Sequence, residues 1–497
     1  MSKLPGNLYT AAQVRELDRQ AIEEHGISGL DLMEKAGQTA CDVLHKLWPD
    51  AWRIVIVCGS GNNGGDGYVM ARLAQQHDKN VVLLQVGDHD NLQGDAKTCA
   101  ELSLDAGVTH DPFLASFLEK ADVIVDAMLG TGLDRDIKGQ YLDAITAINR
   151  AKAHVLSVDI PSGLNADTGQ VMGAAIEAKA TISFIGLKQG LLTGDGPTCS
   201  GHVYFDDLDV PDAVYEAVPV SSWRIDFSSQ VQTIFRRRAS DHKGNFGHAL
   251  IVGGDKGFAG AARMAAEAAG RSGAGLVSLA TREQHATQIA MCRPEIMAHG
   301  VEKTSDLTSL LKRVSVVAVG PGLGQGVWGQ KMLAAVLETS LPIVIDADAL
   351  NLIAMEPLMR DNWVLTPHPG EAARLLGCST EEIQQDRFTA VTKLQQKYGG
   401  VIVLKGAGTL IASEDTHTQA EHISLCDQGN PGMATGGMGD VLTGVIAGLI
   451  AQKLDPLAAT QTAVCVHAKA GDRAAKKGQR GMLAMDLMPE IRSLVNP

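Results

Sequence analysis

Short apolar runs rich in β-branched residues alternate with helical patterns along this chain, and they form two separate series. The first series covers residues 54–58, 81–86, 123–127, 154–159 and 180–185. The second series covers residues 248–253, 276–280, 314–319, 343–346 and 401–405. Strands that are joined through helices need crossover connections, so they pair in parallel and carry helices on both faces of the sheet. The sequence therefore predicts two open α/β domains.

The boundary between the two series falls in residues 206–242, which are rich in polar residues and contain two prolines. We expect a linker at residues 212–228, and hence domains at residues 1–220 and 228–497. A chain of 497 residues is also too long for one ordinary hydrophobic core. Both observations predict a protein of two domains.

Two helices are predicted before the first strand. Thr10 and Gln13 have the spacing of a capping box, and the apolar residues that follow recur at helical spacing until Gly26. A second helical pattern covers residues 30–46.

The formal net charge of −14 argues against a general binder of nucleic acids or membrane surfaces, because both need a positive surface. Almost all of this charge arises before residue 220, so the two halves differ chemically. We therefore expect small-molecule chemistry, with no nucleic acid and no membrane as partner.

The eight cysteines include no C-x-x-C pair, which is typical of a reducing compartment. The first residues lack an apolar signal core, and the most apolar late stretch, residues 441–451, is too short to span a bilayer. These features predict a cytoplasmic protein.

The first glycine loop lies in IVIVCGSGNNGGDG, between a buried strand and a helix. Its glycines satisfy the G-x-G-x-x-G pattern of dinucleotide-binding folds. Asp66, however, stands where the helix is expected to begin, and its carboxylate would compete with a pyrophosphate for the helix amides. Asn62, Asn63 and Asp66 instead provide amide and oxygen groups that suit a metal ion or a polar ligand. The loop is therefore interpreted as a site other than a standard dinucleotide cradle.

Two further strands of the first half end in aspartate. Asp126 precedes GTGLDRD, and Asp159 precedes a segment that contains Ser162. Ligands of open α/β sheets bind beyond the carboxyl ends of the strands, so these tips are expected to meet in one site. The alternative for each aspartate is a turn or a helix cap.

Together, NNGGDG, VDAMLGTGL and VDIPSGL resemble the NAD(P)H-hydrate epimerase domain, over about residues 10 to 210. The resemblance implies a Rossmann-like three-layer domain and a potassium ion that is held by Asn63, Asp126 and Ser162. It implies substrate contacts from Asn62, Asn63, Gly64, Gly65, Asp66, Gly130, Thr131, Gly132, Leu133, Asp134, Arg135, Asp136 and Asp159. Asp159 is the candidate for proton transfer or for stabilising the cation, and the alternative is that it only orients the ligand.

The strongest pattern of the second half is GNPGMATGGMGDVLTGVIAGLIAQ, a glycine run before an apolar helix. Backbone amides at residues 436–439 can form an anion hole, and Asp440 would accept a proton from a hydroxyl during phosphoryl transfer. The alternative is a structural glycine turn that Asp440 caps.

This arrangement resembles the ribokinase-like fold. Within that group, GFAGA, GPGLG, TPHPGEAARLLG, KGAGT and GGMGD resemble the NAD(P)H-hydrate dehydratases, over about residues 230 to 497. The resemblance implies adenine-nucleotide binding by Lys405, Gly406, Ala407, Gly408, Thr409 and Gly439. It implies contacts with the hydrated cofactor by Ala259, Gly322, His368 and Asp440. It also implies ADP as phosphate donor in bacterial members, with ATP as the alternative.

One segment departs from the vitamin kinases of this fold. Their T-P-N-x-x-E segment has His368 in place of asparagine here, followed by Glu371. Glu371 is a candidate to orient magnesium, and a helix cap is the alternative. His368 is a candidate to hydrogen-bond or stack on the nicotinamide, and a structural role is the alternative.

The resemblances imply metabolite repair: epimerisation of R- and S-hydrated NADH and NADPH, and dehydration of the S form with ADP. A homo-oligomer is also expected. The first rival is a small-molecule kinase fused to another domain, which His368 disfavours. The second is a first half that only binds ligand, which the presence of Asn63, Asp126, Asp159 and Ser162 disfavours.

Overall fold

The computed structural model describes residues 4–90, 92–414 and 421–496. The chain divides into two compact units, Met1–Trp223 and Arg224–Pro497. Each unit contains one sheet that is built mainly from parallel strands, and helices lie between these strands in the sequence.

The strands that begin in the first unit are β1 (Asn7–Leu8), β2 (Arg53–Cys58), β3 (Asn80–Gln85), β4 (His110–Pro112), β5 (Val123–Ala127), β6 (His154–Val158), β7 (Ala180–Phe184), β8 (His202–Asp206) and β9 (Ser222–Ile225). Its helices are α1 (Ala11–Arg19), α2 (Gly29–Leu47), α3 (Asn62–Gln76), α4 (Gly94–Asp105), α5 (Gly139–Arg150), α6 (Gly196–Ser200) and α7 (Asp212–Ala217).

The sheet of the first unit has the order β4-β3-β2-β5-β6-β7-β8, and every pairing in it is parallel. Successive residues of β2 enter two different apolar clusters: Ile54 and Ile56 pack in one, Val55 and Val57 in the other. Because side chains alternate across a strand, the two clusters cover opposite faces of the sheet. The predicted three-layer, Rossmann-like architecture is therefore confirmed.

The predicted first helix is confirmed as well. The Thr10 hydroxyl accepts from the Gln13 amide, and the Gln13 side chain accepts from the Thr10 amide, which is a complete capping box. The α-helix ends at Arg19 and continues as one π-helical turn over Gln20–Glu24. Val14 and Leu17 form its buried face.

The second unit contains the helices α8 (Phe227–Gln230), α9 (Ala259–Arg271), α10 (Glu283–Cys292), α11 (Thr304–Leu311), α12 (Val327–Leu337), α13 (Ala347–Met355), α14 (Pro369–Leu376), α15 (Thr380–Gln385), α16 (Arg387–Tyr398), α17 (Met438–Ala451), α18 (Pro456–Ala474) and α19 (Leu487–Leu494). Its strands are β10 (His248–Val252), β11 (Leu276–Thr281), β12 (Met297–Gly300), β13 (Val316–Val319), β14 (Ile343–Ile345), β15 (Trp363–Leu365), β16 (Val401–Leu404), β17 (Thr409–Glu414) and β18 (Glu421–Cys426).

The second sheet contains the order β18-β17-β16-β15-β14-β13-β10-β11-β12. The strands from β12 to β16 pair in parallel, whereas β17 and β18 are antiparallel additions at one end. The apolar helix α17 packs on this sheet, and its first turn lies at the carboxyl ends of the parallel strands, beside the residue after β14. This places the predicted glycine run at the edge where α/β sheets bind ligands.

All ten predicted strands are present, each within about two residues of its expected bounds. The predicted linker at residues 212–228 contains the short elements α7 and β9. Eight of the described strands were not predicted, and all but the last two have at most five residues: β1, β4, β8, β9, β12, β15, β17 and β18. Among the described residues, no helix combines the length and the apolar character that crossing a membrane requires.

Candidate active sites

A cavity of about 1070 Å³ lies at the carboxyl ends of the strands in the first unit. The predicted residues that line it are Asn62, Asn63, Asp66, Gly130, Thr131, Gly132, Leu133, Asp134, Arg135, Asp136 and Asp159. Gly64 and Gly65 are buried in the first turn of α3, and Asp126 and Ser162 are buried beneath the cavity wall. The structure therefore brings the loops predicted for the first site together.

The first glycine loop is packed tightly against its neighbour. A Cβ atom on Gly59 would lie 1.9 Å from the Met128 carbonyl oxygen, and one on Gly64 would lie 2.0 Å from the Gly59 carbonyl oxygen. These glycines thus serve close backbone packing. The helix also begins at Asn62, so Asp66 lies one turn inside α3 rather than at its start.

Asp126 is fully buried at the end of β5 and organises the loop below the cavity. Its Oδ2 atom accepts from the Ser157 hydroxyl and the Ser162 amide, both at 2.9 Å. Its Oδ1 atom accepts from the Ser162 hydroxyl at 2.5 Å. Burial raises the pKa of Asp126, and these hydrogen bonds partly offset that effect.

Asn63 is the one predicted potassium ligand with an unused oxygen. Its Nδ2 atom donates to the Leu129 carbonyl oxygen at 3.1 Å. Its Oδ1 atom is buried and has no hydrogen-bond partner among the described residues. A buried acceptor without a donor is costly, and a cation would satisfy it. The unused oxygen of Asn63 therefore fits a hard monovalent or divalent cation, and the nearby oxygens of Asp126 and Ser162, which hydrogen-bond to each other here, are of the type that such a cation prefers.

Asp159 follows β6 in the left-handed backbone region, with φ 65°. Its carboxylate forms an ion pair with Lys188, whose side chain is only 1% exposed. The Lys188 ammonium also donates to the Ser183 hydroxyl at 3.2 Å and to the Phe184 carbonyl oxygen at 3.1 Å. All three ammonium donors are thus satisfied, and Asp159 is held at the cavity wall.

Two more carboxyls line the same cavity. Burial raises the pKa of Asp18 to about 6, the charge of Asp159 adds to this effect, and Lys188 opposes it. Burial also raises the pKa of Asp66 well above its usual range, and Asp159 and Asp18 raise it further. The site therefore combines ionised and protonated carboxyls near neutral pH.

In the second unit, helix α17 begins after Gly437, which has φ 92°, a value that favours glycine. Asp440 stands in the first turn. Among the described residues its carboxylate makes no hydrogen bond, and no side chain caps this helix start. Asp440 therefore does not cap the turn, contrary to the structural alternative.

Lys405 lies directly after β16 and contacts two carboxylates. Its Nζ atom is 2.9 Å from Asp346 Oδ1 and 3.7 Å from Glu371 Oε2. The other oxygen of Asp346 accepts from the Thr443 hydroxyl at 2.8 Å, so this buried carboxylate links Lys405 to helix α17. A Cβ atom on Gly439 would lie 3.2 Å from Lys405 Nζ, which places the glycine run beside the ammonium.

These charges act on Asp440. Burial raises the pKa of Asp440 to about 7, and the negative charge of Asp346 adds to this effect. Lys405 acts in the opposite direction. By contrast, burial alone would raise the pKa of Asp346, but Lys405 and the hydrogen bonds from Thr443 and Thr366 together more than offset it and the pKa is lowered. A carboxyl that titrates near neutral pH is suited to act as a general base.

The loop of residues 405–408 is held from below by Arg387, which is buried. Its guanidinium donates to the carbonyl oxygens of Leu404, Lys405 and Gly408 at 3.3 to 3.4 Å. The Thr409 hydroxyl donates to the Gly406 carbonyl oxygen at 3.1 Å, so the predicted nucleotide loop is closed on itself. Ala407 is exposed within it.

The loops that contain Ala259 and Gly322 also meet. The Gly322 carbonyl oxygen accepts from the Asp255 amide at 2.7 Å, and a Cβ atom on Gly322 would lie 2.7 Å from Phe258 Cβ. Asp348 lies between the Gly322 loop and Asp440. It accepts a hydrogen bond from the Gly324 amide at 2.9 Å, and its charge raises the pKa of Asp440.

His368 and Glu371 form a capping box at the start of α14. His368 Nδ1 accepts from the Gly370 amide at 3.0 Å, and Glu371 Oε2 accepts from the His368 amide at 2.8 Å. The structural alternative thus holds for both residues in this structure. The His368 ring is still 56% exposed, so a face of it stays open to a ligand.

Sequence analysis did not identify Asp18, Lys188, Asp346 or Arg387. Two of these residues could have been found from the sequence. Asp18 lies four residues after Val14, on the side of the helix that faces inward. Lys188 interrupts the apolar run FIGLKQGLL. A lysine in such a run is buried with a partner or marks the end of the run.

Each half of the chain matches a known protein family. A family model described as NAD(P)H-hydrate dehydratase matches residues 249–493, and one described as YjeF-related protein N-terminus matches residues 29–190. The chain is 48% identical to the bifunctional NAD(P)H-hydrate repair enzyme Nnr of Coxiella burnetii, over 99% of each chain. It is 44% identical to the Escherichia coli protein of the same name, over 99% of this chain and 95% of that one.

Among solved structures, a ribokinase-like superfamily protein of Enterococcus faecalis is 31% identical, with a TM-score of 0.51, and the likeness covers 55% of this chain and 96% of that chain. The predicted ribokinase-like fold is confirmed by this likeness. The relatives match almost the whole length of the chain, which therefore belongs to the family of bifunctional NAD(P)H-hydrate repair enzymes.

Proposed function

We propose that the chain repairs hydrated NADH and NADPH at two separate sites, one in each unit. The domain of residues 1–220 interconverts the R and S epimers. The domain of residues 228–497 dehydrates the S form at the expense of ADP, giving AMP and phosphate. The observation that carries this proposal is the Asp440 carboxylate at the start of α17, which makes no hydrogen bond among the described residues and interacts electrostatically with Lys405.

The dehydration has a physical rationale in the second site. Hydroxide is a poor leaving group and phosphate is a good one, so phosphorylation of the substrate hydroxyl prepares it to leave. Asp440 accepts the hydroxyl proton while the oxygen attacks the terminal phosphate of ADP. The backbone amides of residues 436–439 stabilise the charge that develops on the phosphoryl oxygens. The ring nitrogen then expels phosphate, and loss of a proton restores the reduced nicotinamide.

The nucleotide is held by the loop after β16. Lys405 supplies a positive charge that Asp346 fixes in position, and Arg387 keeps the loop of residues 406–408 closed. Gly439 leaves room for a phosphate next to the Lys405 ammonium. Magnesium usually binds through one or two carboxylates together with substrate phosphates, and Glu371 is the protein group positioned to contribute here. ATP is the alternative donor.

Substrate recognition in the second site falls to Ala259, Gly322, His368 and Asp440. The exposed face of the His368 ring is available to stack on the nicotinamide or to donate a hydrogen bond from Nε2, because Nδ1 is occupied by the helix cap. This geometry lets one residue serve both as cap and as ligand contact.

The first site suits acid and base chemistry. The substrate has a hydroxyl on carbon 6, next to the ring nitrogen, so loss of water gives an iminium ion that water can attack from either face. Asp159 is placed at the cavity wall to stabilise this cation or to exchange a proton. The segment of residues 130–136 and the first turn of α3 provide the remaining contacts. A stereospecific dehydratase would leave one epimer unrepaired, which explains why the two activities are joined.

A potassium ion would be held by Asn63, Asp126 and Ser162. The unused, buried Oδ1 atom of Asn63 supports this assignment. When bound, the ion would supply positive charge that fixes the loop and attracts the substrate's polar groups.

The eight cysteines are all free, which supports a cytoplasmic location. A homo-oligomer stays a prediction, and size measurement in solution would test it.

The function is tested by giving the purified protein a mixture of both NADH hydrates with ADP. Recovery of NADH together with AMP and phosphate in equal amounts supports the proposal. Net phosphorylation of a vitamin alcohol, without NADH recovery, would favour the kinase alternative instead.

A further inference from the structure

Three carboxyls and one buried ammonium among the residues that line the cavity of the first unit are electrostatically linked. Asp18 reaches it from α1, Asp66 from α3, Asp159 from the turn after β6, and Lys188 from the segment after β7. All three carboxyls interact electrostatically with the one buried ammonium of Lys188. Other charged residues line the same cavity, namely Arg15, Asp95, Asp134, Arg135, Asp136 and Lys138. If all three carboxyls were ionised, the negative charges would repel each other, so the protons must be distributed unequally.

The contacts of Lys188 identify the carboxyl with which its ammonium pairs. Its three donors are directed to Asp159, to the Ser183 hydroxyl and to the Phe184 carbonyl oxygen. No donor is left for Asp18 or Asp66. The direct ion pair thus belongs to Asp159.

Asp18 differs from Asp159 in its surroundings. It is half-buried at the cavity, and among the described residues no side chain or amide donates a hydrogen bond to it. The charged and titratable groups that face it are Asp66, Asp159, Lys188 and the Tyr215 hydroxyl from α7. Burial raises its pKa to about 6, so it exchanges a proton readily near neutral pH.

Asp66 is less suited to this role. Burial raises the pKa of Asp66 well above its usual range, so its proton stays in place across the neutral range. A group that must give up and regain a proton in each cycle works best when its pKa lies near the working pH. Asp18 meets that condition and also opens to the cavity.

We propose that Asp18 is the proton donor of the epimerisation and that Lys188 is a positioning residue that holds Asp159 as its ionised counterpart. This inference rests on the proposed epimerase function of the first unit. It adds to that function the residue that acts as the acid, Asp18, and a role for the Lys188 ammonium.

The step balances in protons and electrons. The Asp18 carboxyl gives its proton to the oxygen on carbon 6, the C–O bond breaks with its electron pair on oxygen, and water leaves. The nitrogen lone pair forms the C=N bond of the iminium ion, whose charge Asp159 stabilises. Water then adds to the other face of carbon 6, the C=N pair returns to nitrogen, and the Asp18 carboxylate takes up the proton that the added water loses.

The test compares Asp18→Asn with the wild-type protein and with Glu16→Gln. Glu16 is a matched control, since it lies on the same helix and its carboxylate binds Arg19 on the surface. Epimer exchange is followed by chromatography, starting from pure S-hydrated NADH without ADP, and the uncatalysed rate is subtracted. Dehydration of the S form with ADP is measured on each variant to establish that the second site works.

We expect Asp18→Asn to lower kcat for exchange by about 10² to 10⁴ while KM changes little. Wild-type kcat should fall as the pH rises through the pKa of Asp18, and the variant should lack this limb. Glu16→Gln should match the wild type. Lys188→Met should lower kcat and move the alkaline limb to higher pH, because the charge of Lys188 lowers the pKa of Asp18. If Lys188→Met does not fold, Lys188→Arg keeps the positive charge and should retain part of the rate.

Near-normal kcat in a folded Asp18→Asn protein, or an unchanged alkaline limb, would overturn the assignment of Asp18. Loss of that limb in Asp66→Asn alone would also overturn it and move the role to Asp66. Absence of exchange above the uncatalysed rate in the wild type is a different result, because it removes the epimerase function itself.

Discussion

Replacing Asp440 by asparagine tests the phosphoryl-transfer site at the single group on which it depends. The two side chains have nearly the same shape, and asparagine is well tolerated at helix starts. Since the Asp440 carboxylate makes no hydrogen bond among the described residues, the substitution breaks no contact in the folded protein. What it removes is the ability to accept a proton.

The expected loss of rate follows from that change. A general base contributes about 10² to 10⁴ in rate, which corresponds to roughly 3 to 5 kcal/mol of activation free energy. Nucleotide binding should persist, because Lys405 keeps its contact with Asp346. In the wild type, kcat/KM should rise with pH as Asp440 loses its proton near pH 7, and the variant should lack this rise.

Asp440→Asn should lower the rate but raise the stability of the folded protein. Burial raises the pKa of Asp440 from 3.8 to about 7 in the folded protein, so the charged form destabilises the fold. The free energy of unfolding of the wild type therefore falls as the pH rises from 3.8 through 7, and that of Asp440→Asn does not. At pH 8 the difference in unfolding free energy reaches on the order of 4 kcal/mol at its upper limit, and below pH 3.8 it disappears.

The assay is recovery of reduced nicotinamide absorbance from S-hydrated NADH with saturating ADP, together with nucleotide affinity by calorimetry and thermal melting at two pH values. Asp455→Asn is the matched control, because Asp455 caps α18 through the amides of Leu457 and Ala458. It should keep full activity. Near-normal turnover in Asp440→Asn would refute the assignment of Asp440 as the base, and with it the kinase-like mechanism.

Three further predictions follow from the same structure. Asp126→Asn should abolish epimer exchange and leave dehydration of the S form intact, which paired assays on one preparation would measure; loss of both activities in a folded protein would contradict separate sites. Replacing potassium with a large organic cation should slow exchange selectively, and unchanged kinetics would remove the ion from the Asn63 loop. His368→Asn should keep the melting temperature, because asparagine also caps helices, yet raise KM for the hydrated cofactor; an unchanged KM would leave His368 as a cap only.

The central strands and the glycine loops could be predicted because their signals are local. An apolar run of five or six residues followed by glycines identifies a strand end without knowledge of its neighbours, and Thr10 with Gln13 identifies a helix start. The short strands β4 and β15 carry too few residues for a pattern, and their pairing depends on strands far away in the chain. Tertiary contacts, rather than local preference, decide such elements.

The same distinction applies to the sites. Asp440 and Lys405 could be named because each adjoins a glycine pattern: Asp440 follows one and Lys405 precedes one. Asp346 ends the weakly marked strand β14, and its meaning emerges only when Lys405, 59 residues later in the chain, is found 2.9 Å away. Asp18 likewise gains importance through Lys188, which comes from the opposite end of the same unit. Such pairs are invisible to a search for local motifs.

The central claim, that one chain epimerises and dehydrates at two sites, is tested most directly by a time course on an equal mixture of R- and S-hydrated NADH with excess ADP. The wild type should convert the whole mixture to NADH, with one AMP for each NADH. Asp159→Asn should convert the S half at the normal rate and then slow to the uncatalysed rate of epimer exchange. Complete conversion at wild-type speed by Asp159→Asn, or NADH formation without AMP, would contradict the account.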